Sequence, residues 1–145
     1  KFLKSKYIKF PAVIMDRLNY PVYDIDMLSF KGKPINIVPR RRLNPNEPNE
    51  GHKILNKKRL ISIGKKIIKE FNLSWLYDCD LMVDDKGKFK IIEINPRMSG
   101  SVAVSVKAGY PIFDNLISLV KGSKIKASNL KKTCSIIPFT KLKKI

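Results

Sequence analysis

This sequence is short of the residues that carry covalent chemistry. It holds one histidine, His52, and two cysteines, Cys79 and Cys134. A Ser-His or Cys-His catalytic pair would have to run through His52, and no nucleophile-elbow pattern accompanies it. Two cysteines make neither a disulfide framework nor a four-ligand zinc site. Both are therefore read as free thiols in a reducing compartment, and the expected localisation is cytoplasmic. Long apolar runs are also missing, which argues against a membrane-spanning helix. Residues 1–9 are basic but lack the apolar core and small-residue cleavage site of a signal peptide. There is no initiator Met, so the chain is expected to be an excised or truncated piece.

Acidic residues are scarce. Twelve Asp and Glu stand against 30 Lys and Arg, a formal charge of +18. Such an excess invites a reading as a non-catalytic basic module that binds nucleic acid or an acidic partner. Its distribution favours a solvated basic surface instead, because the lysines are spread over both ends and the middle of the chain. The 43% of hydrophobic residues in 145 fits one globular domain with an adequate core.

What is present is a dense alternation of strand-like segments and turns. Residues 12–18 read as a strand that Pro21 interrupts. Residues 22–30 alternate, placing Tyr23, Ile25 and Met27 on one face and Asp24 and Asp26 on the other. A turn at 31–34 returns the chain along 35–43. Residues 44–51 form a polar loop broken by Pro45 and Pro48. A helix is expected over 55–71, with Leu60, Ile63, Ile67 and Phe71 on its apolar stripe. Residues 75–83 and 88–95 read as a hairpin about Gly87. Helices follow over 101–108 and from Pro111 to Gly122, and 133–139 could be a last strand. Short turns between strands imply an α+β fold, an antiparallel sheet with helices packed on one face. Residues 1–145 are expected to form a single domain, with a basic tail over 123–145.

The most informative stretch is Glu93-Ile94-Asn95-Pro96-Arg97-Met98-Ser99-Gly100-Ser101. On a strand, residues i and i+2 point to the same face, so Glu93 and Asn95 offer oxygens roughly 7 Å apart at the backbone. Across the hairpin, Asp80 comes near Glu93, directly or diagonally according to the turn. Three hard-oxygen side chains on one face suit magnesium, which takes one or two carboxylates plus substrate phosphates. Arg97 adds a planar donor fork for phosphate or carboxylate oxygens.

These motifs, with Ala108-Gly109-Tyr110-Pro111, Leu119-Val120-Lys121-Gly122, Tyr23-Asp24-Ile25-Asp26 and Val38-Pro39-Arg40-Arg41-Arg42-Leu43, carry a resemblance. From about residue 12 to 122 the sequence resembles the C-terminal half of an ATP-grasp domain, close to the carbamoyl-phosphate synthetase-like carboxylate–amine ligases. The resemblance implies an ATP- and magnesium-dependent ligase (manganese could substitute) that joins small-molecule carboxylate and amine or ammonia substrates through an acyl phosphate. It implies Asp80, Glu93 and Asn95 as metal ligands and Arg97 as the catalytic contact to the transferred phosphate. It assigns Ser99, Gly100 and Ser101 to the substrate pocket, Arg40 and Arg42 to phosphate or acyl-phosphate contacts, and Asp16 to the nucleotide side. It further implies that this chain carries only the metal and acyl-phosphate half of the site, its partner being an N-terminal lobe of the same protein. Val22 departs from the pattern, standing where relatives commonly carry a ribose-binding glutamate. A relative that keeps the fold without the activity is the remaining alternative.

Overall fold

The computed structural model describes residues 15–125 and 133–139. It shows a six-stranded sheet in the order β5-β4-β1-β2-β3-β6, with every pairing antiparallel. The strands are β1 (Asn19–Phe30), β2 (Lys33–Arg42), β3 (His52–Ile54), β4 (Trp75–Val83), β5 (Phe89–Asn95) and β6 (Ser135–Ile136). Three helices accompany them: α1 (Lys58–Glu70), α2 (Val102–Lys107) and α3 (Ile112–Val120). The α+β class and the antiparallel sheet are as expected.

The two faces of β1 decide the architecture. Tyr23, Ile25 and Met27 join Cys79 and Leu81 of β4 in a core that Leu60, Ile67 and Ile68 of α1 cover. Each of the Ile, Leu and Met side chains among them contributes about 1.5–3 kcal/mol when fully buried. Gly64 lets α1 approach closely, since a Cβ there would stand 2.9 Å from Ile37 Cγ2. On the opposite face, Val38 and Ile54 pack with Val102, Val104, Tyr110 and Ile112. The helices, expected on one face, are thus divided: α1 covers the apolar face, while α2 and α3 stand over the face that bears Asp24 and Asp26. Apolar residues at both faces of β2, Ile37 on one and Val38 on the other, give each group of helices something to bury.

Other differences are local. Pro21 does not interrupt a strand; it lies inside β1, after a cis Tyr20–Pro21 peptide. The β1–β4 register is irregular between Asn19 and Tyr23, where a residue without an N–H is tolerated. Residues 15–18 are not strand, and 12–14 lie outside the described residues. Strand β3 grows out of the polar loop, after a 3-10 turn at Pro48–Glu50, and was not expected. Of the tail, residues 126–132 and 140–145 lie outside the described residues, and the last strand is confined to Ser135–Ile136.

Candidate active site

Strand register brings charged residues from four neighbouring strands onto one sheet face. Asp24 pairs with Arg40 on one side and Asp80 on the other. Asp26 pairs with Asp78, Asp78 with Asn95, and Asp80 with Glu93. The apposition of Asp80 and Glu93 is therefore direct. It is secured by a bulge: Asp80 faces Glu93, Leu81 faces Ile91, and Ile92 has no partner between them. Ile92, which simple alternation would bury, is 37% exposed for that reason. Ile94 keeps its place against the core.

The inner part of this face is an ion-pair lattice. Arg42 Nη2 donates to Asp24 Oδ1 at 2.6 Å and to Asp80 Oδ2 at 2.7 Å. Its Nε donates to Asp24 Oδ1 at 3.0 Å, so Asp24 receives the guanidinium along one edge. His52 Nε2 stands 3.3 Å from Asp24 Oδ2 at ion-pair range, without hydrogen-bond alignment. Arg40 is fully buried and pairs with Asp26 at 2.9 Å. Four carboxylates (Asp24, Asp26, Asp78, Asp80) thus face two guanidinium groups.

That imbalance is visible in the acidities. Burial alone would raise the Asp24 carboxyl, but His52, Arg42 and Arg40 overcome it and hold Asp24 well below the usual range. Asp78 has only the charge of Arg40 to hold it down; burial, then the charges of Asp26, Asp80 and Asp24, outweigh that and push it up to about 7. Asp80 rises to about 6, because burial and Asp24 outweigh its contact with Arg42. Arg42 rises as well: burial opposes its charge, but Asp24 and Asp80 more than compensate. Burial and the same carboxylates push the Cys79 thiol up to about 12, so it is no nucleophile.

The outer part is different. Asn95 Nδ2 donates to Glu93 Oε1 at 2.8 Å. Arg97 is exposed and donates to the adjacent Met98 carbonyl, at 3.0 Å. Ser99 is buried, Ser101 half-buried, and Gly100 open, with nothing near its Cβ position.

Register thus places Asp80, Glu93 and Asn95 side by side, with Arg42 against Asp80. Arg97 lies in the turn that follows, turned onto its own backbone. Arg40 is enclosed beneath Ser99 and Ser101. Asp16 is exposed, outside any strand, in a charged groove with Arg17, Asp84, Asp85, Lys86, Lys88 and Lys90. Val22 is buried.

Oxygen donors suited to a hard cation form two sets that share Asp80: an outer one with Glu93 and Asn95, and an inner one with Asp24 and Asp78. Asp24, Asp78 and Asp80 bring carboxylate oxygens within 4.8 Å of one another. Asp78 Oδ1 and Asp80 Oδ1 are buried without a hydrogen-bond partner. Sequence reasoning named Asp80 but not Asp24, Asp78, Asp26 or His52 as part of the site. For the aspartates a signal existed: all share strand parity with Arg40, Arg42 or Asp80. For His52 there was none, because β3 was hidden in the polar loop.

Residues 9–144 match the family described as ATP-grasp in the biosynthetic pathway with Ter operon. No match to a curated protein was found. Among solved structures, the chain is similar to N5-carboxyaminoimidazole synthetase from Staphylococcus aureus in its complex with ADP, at 19% identity and a TM-score of 0.65, over 83% of this chain and 35% of that one. It is similar to the biotin carboxylase–βγ-ATP complex from Campylobacter jejuni, at 17% identity and a TM-score of 0.58, over 77% and 27%. It is also similar to L-amino acid ligase from Bacillus licheniformis, at 16% identity and a TM-score of 0.51, over 70% and 29%. The chain spans about a third or less of the length of these proteins.

Proposed function

We infer the function from one premise: the chain belongs to the ATP-grasp family of the biosynthetic pathway with the Ter operon. On that premise the protein is an ATP-dependent ligase that activates a carboxylate as its acyl phosphate and passes the acyl group to an amine or ammonia. This chain carries the metal and acyl-phosphate half of the site. The observation that supports it most is the direct Asp80–Glu93 pairing with Asn95 two residues on, an array of hard oxygens at the mouth of the charged face. The solved structures it resembles include an N5-carboxyaminoimidazole synthetase bound to ADP and an L-amino acid ligase, which agrees with this reading.

Asp80, Glu93 and Asn95 would hold magnesium. When bound, that ion would supply positive charge and a template at the phosphate oxygens. The remaining work falls to the chain's own residues. Arg42, half-buried against Asp80, fixes the orientation of that carboxylate. Arg97 is free to swing from the Met98 carbonyl to an incoming phosphate, exchanging one hydrogen bond for stronger charge-assisted ones. Ser99, Gly100 and Ser101 border the space beside it. No protein nucleophile is required: phosphorylation gives the carboxylate a leaving group, and phosphoryl transfer depends mainly on positioning and charge stabilisation. The asparagine-linked carboxylate is the most exposed part of the array, which suits it to a ligand that arrives with the substrate.

The partner of this half is an N-terminal lobe of the same protein, which would bring the adenine and cover the phosphates. Exposed Ile91 and Ile92 on the edge strand β5 leave apolar surface next to the site for it. Among the described residues, no helix is long and apolar enough to cross a membrane.

The test is hydroxylamine trapping in the full-length protein. With ATP, magnesium and a panel of carboxylates, one carboxylate should yield an acyl hydroxamate and stoichiometric ADP, and the 145-residue chain alone should yield neither. ADP release by the full-length protein that no carboxylate stimulates would overturn the ligase reading. Robust turnover by the chain alone would overturn the half-site reading.

A further inference from the structure

Arg40 alternates with Arg42 on the same strand face, but its surroundings are of another kind. It is 0% exposed, and its two terminal nitrogens meet four acceptors. Nη2 donates to Asp26 Oδ1 at 2.9 Å and to Ser99 Oγ at 2.9 Å. Nη1 donates to Ser101 Oγ at 2.7 Å and to the Ser101 carbonyl at 3.1 Å. Arg40 Nε is buried without a hydrogen-bond partner, whereas at the other end of the network both Asp26 oxygens are engaged. Ser99 Oγ donates to Asp26 Oδ1 at 2.8 Å, and Ser105 Oγ donates to Asp26 Oδ2 at 2.5 Å. Asp26 is therefore a hub that binds the guanidinium, the turn after β5 and the first turns of α2 at once.

We propose that Arg40, anchored by Asp26, is a positioning residue that clamps the 99–101 turn and the start of α2 onto the sheet, and that it does not itself touch phosphate. Reaching a phosphate would require Arg40 to give up its contacts with Ser99, Ser101 and Asp26 and leave Asp26 buried and uncompensated, which is costly. The contacts of Arg40 and Asp26 with Ser99, Ser101 and Ser105 join residues 59 to 79 positions apart, so they tie the turn to the sheet, whereas its local bonds, Val102 N–H to the Ser99 carbonyl and Val104 N–H to the Ser101 carbonyl, lie within the turn and α2. The turn begins two residues after Arg97 and four after Asn95. Fixing it fixes where the exposed side chains of that segment can reach. The choice of arginine follows from geometry. A planar fork spans Asp26 on one tip and Ser101 on the other, whereas a lysine ammonium is a single point and cannot hold both.

The clamp stands independently of the proposed reaction; only its effect on turnover rests on that reading. Hydrogen exchange separates the two. Arg40→Lys keeps the positive charge beside Asp26, so a role limited to neutralising that charge would be rescued by it. The clamp predicts no rescue: amides over 99–107 should exchange about tenfold faster, while those of α1 keep their protection. Ser99→Ala, which leaves the Arg40–Asp26 pair intact, should raise exchange over the same residues by a smaller factor. Wild-type protection of 99–107 in Arg40→Lys would overturn the clamp. So would unchanged exchange in Ser99→Ala, or loss of α1 protection in step with the turn. In the full-length protein, Arg40→Lys should lower kcat for ADP release with the KM for ATP changed by less than about twofold, since the turn is displaced and no nucleotide contact is lost. A raised KM with kcat intact would identify Arg40 as a ligand contact and overturn the proposal. Absence of any ADP release from the unmutated parent would count against the ligase reading alone, with the exchange result still deciding the clamp.

Discussion

The inner and outer parts of the charged face use the same residue types to opposite ends. Asp24, Asp26 and Arg40 are buried, and their charges are spent in ion pairs, Asp26 with Arg40 and Asp24 with Arg42. Glu93, Asn95 and Arg97 are more open to solvent, and their contacts are made within a residue or two along the chain. A buried ion pair is hard to rearrange, because separating it leaves a charge in a poorly polarisable interior. An exposed short-range hydrogen bond is easy to exchange for a better partner, since water has already weakened it. On the proposed function, the inner lattice would act as framework and the outer row as the ligand-facing surface. Asp80 and Arg42 lie between them, and Asp80 pairs inward with Arg42 while facing Glu93 outward.

The comparison is broken most forcefully from the inside. Arg40→Met leaves Asp26 buried without its cation, and about 3–5 kcal/mol of unfolding free energy should be lost in urea titration. A loss near zero would mean that the lattice is not a framework.

A smaller effect is expected from pH. The folded pKa of Asp78, about 7, lies above its ordinary value of 3.8, so across that window the folded state binds the extra proton. Stability contributed by protonated Asp78 is present at the acid end of the window and lost as pH rises through it. Asp80, raised to about 6, acts in the same direction. Asp24, lowered, acts oppositely and loses its contribution only in stronger acid. In metal-free buffer the urea midpoint should therefore fall between about pH 5 and 8, and Asp78→Asn should flatten that fall. An identical pH slope in the variant would remove Asp78 from the account.

At the outer row, Glu93→Gln should change unfolding free energy by no more than about 0.5 kcal/mol, because only an exposed contact is altered. A loss comparable to that of Arg40→Met would erase the distinction between the two regions. Smallest of all is Lys86→Gln. In the β4–β5 turn the backbone N–H of Lys86, not its side chain, bonds Asp84 Oδ1, so both stability and turnover should be unchanged within error.

The sequence carried the outer row plainly and the inner lattice only in outline. Glu93 and Asn95 were legible because strand parity and the turn at Gly87 determine which side chains share a face. The same parity set Asp24 and Asp26 opposite Tyr23, Ile25 and Met27. It could not show that Ser105 of α2 would close over Asp26. The exposure of Ile92 depended on a bulge, which adds one residue and defeats simple alternation. Arg40 and Arg42 looked equivalent, two residues apart on one strand. Only packing distinguishes them: Arg40 lies under the 99–101 turn, while Arg42 reaches the open end of the sheet. Strand β3 escaped notice because three residues after a proline-broken loop hold too little pattern to mark a strand, yet it is the element that delivers His52 to Asp24.

The central claim is that the array at the Asp80–Glu93 pairing binds what the reaction needs, and that the lattice beneath only supports it. The most direct measurement is carboxylate-stimulated ADP release by the full-length protein, unmutated and as Glu93→Gln, with folding of both checked by their urea midpoints. The account predicts matching midpoints and a fall in turnover on the order of a hundredfold or more, the scale expected when one charge aimed at the reacting centre is removed. Full turnover in Glu93→Gln, with the fold intact, would contradict it.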